Sequence, residues 1–282
     1  MKIYIIGSTG QLGSDILRIF EKKHKVVHGG KELFDVRNTD AFESFIGNKF
    51  DAVINCSAFL DVPLAENSVR EAILMNMSAP MKIAHVCRKK NIRFIHFSTD
   101  YVFDGEKRTP YIETDKCNPL NIYGMSKYIG EEGILEVNPN ASVLRVSGLY
   151  GRVVSRAKGY NFISLFLRKA KENDVIEVVS DEILTPTYTL NAAKQTLLVF
   201  ENGISGIIHS TDEGEVSWFD FASEISRQMK LKIKVKRKKS SSNSIARPKY
   251  SVLENRKLNE LGLNIMKDWR ESLREFLKEE YI

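Results

Sequence analysis

Short apolar runs alternate with segments of helical period through the first half of the chain. The runs cover 2–7 (KIYIIG), 25–28 (KVVH), 51–57 (DAVINCS), 93–99 (RFIHFST) and 142–148 (SVLRVSG). Helical patterns fall near 11–22, 38–47, 68–90 and 121–136. Strands this apolar on both faces predict a parallel sheet covered by helices on both sides, a doubly wound α/β fold of the Rossmann type. Beyond 150 the alternation loosens. A helix is predicted over 161–172, a strand over 175–180, a Pro-centred turn at LTPTY, a helix over 189–202, a strand at GIIHS, a helix over 218–230, a lysine-rich strand and two C-terminal helical stretches. No linker or repeat marks a boundary, so residues 1–150 are expected to form an NAD(P)-binding domain and 151–282 a smaller, interleaved α/β substrate lobe. Helix 189–202 is expected to pack on the first domain.

Charge adds one feature to this picture. The chain carries a formal net charge of +6, and the stretch KLKIKVKRKKSSSNS (230–244) holds much of the excess. Its lysines alternate with Leu231, Ile233 and Val235, the period of a strand with one wet face, and lysines on a sheet edge discourage edge-to-edge association. A phosphate-facing role is the alternative; nucleic acid is not the expected partner. At 282 residues and 43% hydrophobic the chain buries a full core. No apolar run approaches the roughly 18 residues of a membrane span, and the N-terminus leads straight into a strand, so a cytoplasmic protein with no membrane partner is expected. Cys56, Cys87 and Cys117 are odd in number and widely spaced, which predicts free thiols, and the five scattered histidines predict no metal site.

Gly7, Gly10 and Gly13 follow the first strand at the mouth of the first helix. Absent side chains let the backbone turn tightly and bring free N–H groups to a pyrophosphate at the helix N-terminus. A dinucleotide is therefore expected. The end of the second strand reads VVHGGKELFD, without the acid that would bind a ribose hydroxyl at its tip. Lys31 is placed to meet a 2′-phosphate instead, which points to NADPH with NADH tolerated. Asp35, beside Val36, offers a carboxylate to an adenine amino group, or else is only a loop residue before a helix.

Tyr123 and Lys127 stand four apart in NIYGMSK and share one helix face. A phenol is a poor acid-base group near neutral pH, and a neighbouring ammonium is expected to stabilise its phenolate and lower its pKa. The fourth apolar strand ends FIHFSTDYVFDG, placing Ser98, Thr99, Asp100 and Tyr101 at the carboxyl edge of the sheet, where open α/β folds bind ligands. Thr99, Tyr123 and Lys127 then form a polariser, a proton donor and a pKa-tuner. On the substrate side, Arg247 offers a guanidinium fork for a diphosphate, and Asn161 is either a ligand or a helix cap.

Together the glycine triplet, NCSAF, STDYVFDG, NIYGMSK, VLRVSGLYG, TPTY and ARPKYS resemble the dTDP-4-dehydrorhamnose reductase family of the extended short-chain dehydrogenase/reductases, over nearly the whole chain. The resemblance implies an NAD(P)H-dependent oxidoreductase that reduces the 4-keto group of a nucleotide-linked 6-deoxy sugar. It places Thr99, Tyr123 and Lys127 in the catalytic positions. It implies a cofactor site of Gly7, Thr9, Gly10, Gln11, Leu12, Gly13, Lys31, Asp35, Val36, Cys56, Ser57 and Ala58 with Tyr123 and Lys127. The implied substrate site is Ser98, Thr99, Asp100, Tyr101, Asn161 and Arg247, and a homodimer is compatible with the family. Two departures stand out. Gly148 replaces a tryptophan that packs on the sugar, and Leu60 and Pro63 replace a threonine and an aspartate near the sugar pocket. These leave open a non-catalytic, cofactor-binding subunit resembling the β subunit of methionine adenosyltransferase, or another nucleotide-sugar enzyme such as an epimerase.

Overall fold

The computed structural model describes residues 1–29, 34–47, 49–241 and 245–282. Six strands form one parallel sheet: β1 (Lys2–Ile6), β2 (Lys25–Gly29), β3 (Ala52–Asn55), β4 (Arg93–Thr99), β5 (Ser142–Val146) and β10 (Gly206–His209), in the order β10-β5-β4-β3-β1-β2. Alternate residues of β1 feed two cores. Ile3 and Ile5 join the side built from α1 (Gln11–Phe20) and α8 (Thr189–Glu201), while Tyr4 and Ile6 join the side built from α2 (Phe42–Ile46) and α5 (Ala79–Lys89). That two-sided burial is why the sequence shows continuous apolar runs instead of alternation. The strand order reverses between β1 and β3, which opens a crevice at their carboxyl ends.

The predicted helix over 68–90 is interrupted. After α3 (Val62–Asn67) and α4 (Val69–Ile73) the chain makes a π turn at Leu74–Ser78 before α5. Pro80 supplies the cause, because it has no N–H to offer the Asn76 carbonyl four residues earlier. That carbonyl instead lies against α6 (Ile122–Val137), where a Cβ on Gly130 would sit 2.1 Å from it.

The later half supplies β6 (Leu149–Tyr150), α7 (Phe162–Glu172), β7 (Val175–Val179), β8 (Ile183–Leu184), β9 (Thr187–Tyr188), β11 (Val216–Ser217), α9 (Trp218–Gln228), β12 (Lys234–Lys238), α10 (Arg256–Glu260) and α11 (Trp269–Glu280). Residues 189–201 and 206–209 lie past 150 in sequence yet build the main sheet layer: α8 packs on α1, and β10 pairs with β5. The basic strand is shorter than its alternation suggests. Only Lys234–Lys238 pair, in parallel with β7, while Leu231, Ile233 and Val235 turn toward the core and the lysines toward solvent. Cys56, Cys87 and Cys117 are free thiols, and burial pushes all three up.

Candidate active site

The turn after β1 is a backbone device. Gly7 has φ +74°, a left-handed conformation that favours glycine, and its carbonyl accepts from Gly10 N at 3.0 Å. A Cβ on Gly13 would lie 2.1 Å from that same carbonyl, so the first turn of α1 presses directly onto the loop. No side chain caps the start of α1, and its first turn contains no acid. The donors of Gln11, Leu12 and Gly13 are thereby suited to an anion, which fits a dinucleotide pyrophosphate. Leu12 itself is buried in the core, so only its backbone serves such a role. Exposed Thr9 accepts from Arg156 at 2.7 Å. Arg156 was not expected from the sequence, and a cation beside a glycine loop is its functional signal.

Farther along the crevice, Lys31 lies outside the described residues. Asp35 is bound by Arg37, through the backbone N–H at 3.0 Å and through the guanidinium, and Val36 is buried beside it. Across the reversal point, Cys56, Ser57 and Ala58 follow β3, and a Cβ on Gly7 would meet Ser57 N at 3.0 Å, so the two loops touch. Asn55 anchors the second loop by accepting from Ser57 N at 3.0 Å and Ser57 Oγ at 2.6 Å. The π turn braces its far side: Asn76 accepts from Phe59 N at 2.8 Å, donates to Phe59 O at 3.1 Å, and donates to Ser126 Oγ of α6 at 3.0 Å. Asn76 also escaped the sequence reading; a proline four residues after a buried asparagine is the only local hint.

Tyr123 lies beside Thr99, and Lys127 follows it one turn later in α6. Asn121 caps α6 by accepting from Gly124 N at 2.8 Å, and Glu66 of α3 accepts from Ile122 N at 2.8 Å, which fixes where the first turn of α6 begins. Tyr123, Thr99 and Lys127 are 8%, 5% and 2% exposed. The expected acidic phenol is corrected by the structure. Burial pushes Tyr123 up to about 12, the neighbouring Thr99 hydroxyl pulls the other way, and Asp100 adds a further rise. The Lys127 nitrogen lies 2.5 Å from Phe97 O and 3.2 Å from His96 Nε2. Burial lowers Lys127 to about 8, with Glu131 opposing.

Among the substrate residues expected from sequence, Tyr101 and Arg247 face the same space. The Tyr101 ring stands edge-on to Tyr123 at 5.7 Å, and Arg247 acts electrostatically on Tyr101 and Glu182. Asn121 Nδ2 donates to Ala246 O at 2.9 Å and so brings the Arg247 segment to the start of α6. Lys158 joins this group through Asp61 and Arg247. Asn161 is a correction. Its side chain accepts from Ser164 N at 2.9 Å in a capping box and donates to Gly151 O at 2.9 Å, so its amide is spent on the frame. Asp100 is likewise buried, taking Ser251 Oγ at 2.6 Å and Thr99 Oγ1 at 3.0 Å, and it ties the end of β4 to the second lobe. Ser98 is buried on the strand face that His96 occupies.

Gly148 does more than lack an indole. It has φ +51°, and a Cβ there would meet Leu184 Cδ1 at 2.7 Å and Pro186 Cα at 3.1 Å, so these two residues close the space. Leu60 is exposed, and Pro63 sits in the first turn of α3 behind the Asp61 cap. No group of three or more metal-binding side chains occurs among the described residues, and none of their helices is long and apolar enough to cross a membrane.

Comparison with known proteins agrees with this layout. A family model described as the RmlD substrate binding domain matches residues 1–282. The spore coat polysaccharide biosynthesis protein SpsK of Bacillus subtilis is 32% identical over 282 residues, covering 99% of this chain and 97% of the relative. A solved dTDP-4-dehydrorhamnose reductase from Clostridium acetobutylicum superposes with TM-score 0.94 at 34% identity over 100% of both chains. Another, from Bacillus anthracis in complex with NADP, does so with TM-score 0.93 at 30% identity over 99% of both. The chain belongs to the dTDP-4-dehydrorhamnose reductase family of the extended short-chain dehydrogenase/reductases.

Proposed function

We propose that this protein is an NADPH-dependent reductase, tolerant of NADH, acting on the 4-keto group of a dTDP-linked 4-keto-6-deoxy sugar of the dTDP-4-dehydrorhamnose type. The observation that carries this reading is the meeting of Thr99, Tyr123 and Lys127 at the carboxyl end of β4, beside the glycine loop. Relatives named as such reductases, and a solved relative holding NADP, support it over a regulatory subunit or an epimerase. Gly7, Thr9, Gly10, Gln11, Leu12 and Gly13, with Arg156 above them, are suited to the pyrophosphate; Asp35 and Val36 to the adenosine end; Cys56, Ser57 and Ala58 to the middle of the cofactor. When bound, NADPH supplies a hydride to the sugar carbonyl carbon.

Tyr123 gives its proton to the carbonyl oxygen as that oxygen becomes an alkoxide, and a phenol kept protonated by burial is loaded for this step. The Thr99 hydroxyl, whose one hydrogen goes to Asp100 in the free protein, turns it to the same oxygen when substrate is present, and Lys127 holds positive charge beneath the phenolate that remains. Tyr101 walls the sugar, while Arg247 and Lys158 face the substrate diphosphate. Residues 1–150 with α8 and β10 form the cofactor layer in this reading, and the rest of 151–282 the substrate lobe. A homodimer through α4 and α6 belongs to the same proposal, since Val69, Ile73, Met125 and Ile129 are exposed on these two contacting helices; sedimentation of the protein as a monomer removes it. A cytoplasmic location fits the two proposed reagents. The deciding assay mixes the purified protein, NADPH and the dTDP-4-keto-6-deoxyhexose, and follows loss of reduced-cofactor absorbance together with formation of the 4-hydroxy sugar. Turnover is expected; no consumption of NADPH by protein that binds it refutes the enzyme reading.

A further inference from the structure

His96 touches Lys127 from below, and the bonds around it determine which atom carries a proton. Asn55 and His96 are register partners on β3 and β4, both interior strands, so neither side chain is free to turn away. Asn55 Oδ1 already accepts two hydrogen bonds, from Ser57 N at 3.0 Å and Ser57 Oγ at 2.6 Å. The amide nitrogen of Asn55 therefore faces His96 Nδ1, at 3.2 Å. Turning the amide over would set its N–H groups against the Ser57 N–H, which can only donate, and forfeit that bond. Nδ1 must then accept. In a neutral imidazole the other nitrogen carries the hydrogen, and that nitrogen, Nε2, stands 3.2 Å from Lys127 Nζ.

An ammonium has donors only, so it would set N–H against N–H at this contact. An amine has a lone pair for the imidazole hydrogen and still donates to Phe97 O at 2.5 Å. On this geometry we propose that His96 is a positioning residue for Lys127: its Nε2–H, aimed at the lysine nitrogen, disfavours the ammonium and makes Lys127 a group that exchanges its proton instead of a fixed cation. The surroundings agree. From α6 the facing titratable groups are Tyr123, one turn earlier, and Glu131, one turn later; Glu131 is bound by Arg145 of β5 at 2.7 Å and is fully buried. From β4 they are His96 itself and Asp100, whose influence falls on Tyr123. Asn55 from β3 and Asn76 from the π turn are neutral. Burial first, and Lys127 second, hold His96 well below its ordinary pKa against a weaker upward pull from the Asn55 backbone, hence uncharged, and Lys127 itself lies near 8. The consequence for catalysis rests on the proposed reductase reading: the rate falls on the alkaline side where Lys127 becomes an amine, and His96 sets where that limb lies.

Two measurements test this. In the full-length wild-type protein near neutral pH, long-range nitrogen–proton NMR of the imidazoles, with His96→Gln used to assign the signal, is expected to show His96 with bare Nδ1 and protonated Nε2. An Nδ1–H tautomer or an imidazolium overturns the proposal, whether or not the protein turns over any sugar. The second measurement is the pH profile of kcat/KM for wild type and His96→Leu. One pH unit above its alkaline limb, wild type keeps about a tenth of its plateau, whereas His96→Leu is expected to keep most of its own, because its limb has moved upward. A limb that stays in place while the whole profile drops evenly marks a merely structural histidine and refutes the idea. If His96→Leu does not fold, the wild-type tautomer decides alone.

Discussion

Along Gly7–Gly13 the chain removes side chains, whereas around Thr99, Tyr123, Lys127 and His96 it buries them. The first region is built within seven residues from one strand end and one helix start, and its chemistry resides in backbone N–H groups that need no tuning. The second draws on β3, β4, α6 and the segment around Ser251, and its buried side chains hydrogen-bond to groups brought from those separate segments. Local construction tolerates change at a distance. Assembled construction makes the ionisation of every member depend on its neighbours, which is how burial raises Tyr123 and lowers Lys127 within one site.

Single substitutions should separate the two regions. Tyr123→Phe is expected to cost the most, roughly 10²–10⁴ in kcat, while titration of NADPH fluorescence finds an unchanged dissociation constant. Loss of cofactor binding in this variant would mean that the regions are not independent. Gly13→Ala is the mirror case. A Cβ 2.1 Å from Gly7 O forces the helix off the loop, at a cost of about 1–3 kcal/mol, so NADPH binding should weaken about ten-fold or more while the substrate's effect on tyrosine fluorescence persists. Unaltered NADPH affinity would show that the loop does not hold the pyrophosphate.

Lys127→Met sharpens the contrast through stability. In the folded protein Lys127 gives up its proton near 8 instead of 10.5. Between those values the unfolded chain binds the extra proton, so wild-type stability rises with pH across that window and carries its full penalty below it. Removing the amine should therefore stabilise the free protein at neutral pH by up to ~3 kcal/mol, with the advantage shrinking toward the alkaline end, as thermal melts across pH would show. A lower melting temperature at neutral pH contradicts the direction. The smallest effect belongs to Arg156→Ala, an exposed contact on the loop: a rise of about two- to five-fold in the NADPH dissociation constant, fading as salt is added. An effect insensitive to ionic strength would assign Arg156 to packing instead.

Continuous apolar runs named the five leading strands because a strand covered on both faces has no polar side to display, and the sixth, GIIHS, was legible for the same reason. What they did not reveal is that this sixth strand returns to the first layer, since a strand carries no mark of its neighbour in the sheet. Asn161 read as a ligand or a cap in sequence, and only the position of Gly151 O resolved the choice. The π turn escaped because its cause, a missing donor at Pro80, is silent until α6 is present to receive the freed carbonyl.

By itself the sequence determined the glycine turn and the shared face of Tyr123 and Lys127, because both are short-range consequences of backbone sterics and helical period. Tertiary structure alone decided where Lys127 sends its nitrogen, which groups keep their protons, and how the place beside Gly148 is filled. Ionisation and close contact depend on atoms brought together from distant parts of the chain, and no local pattern of residues encodes their distances.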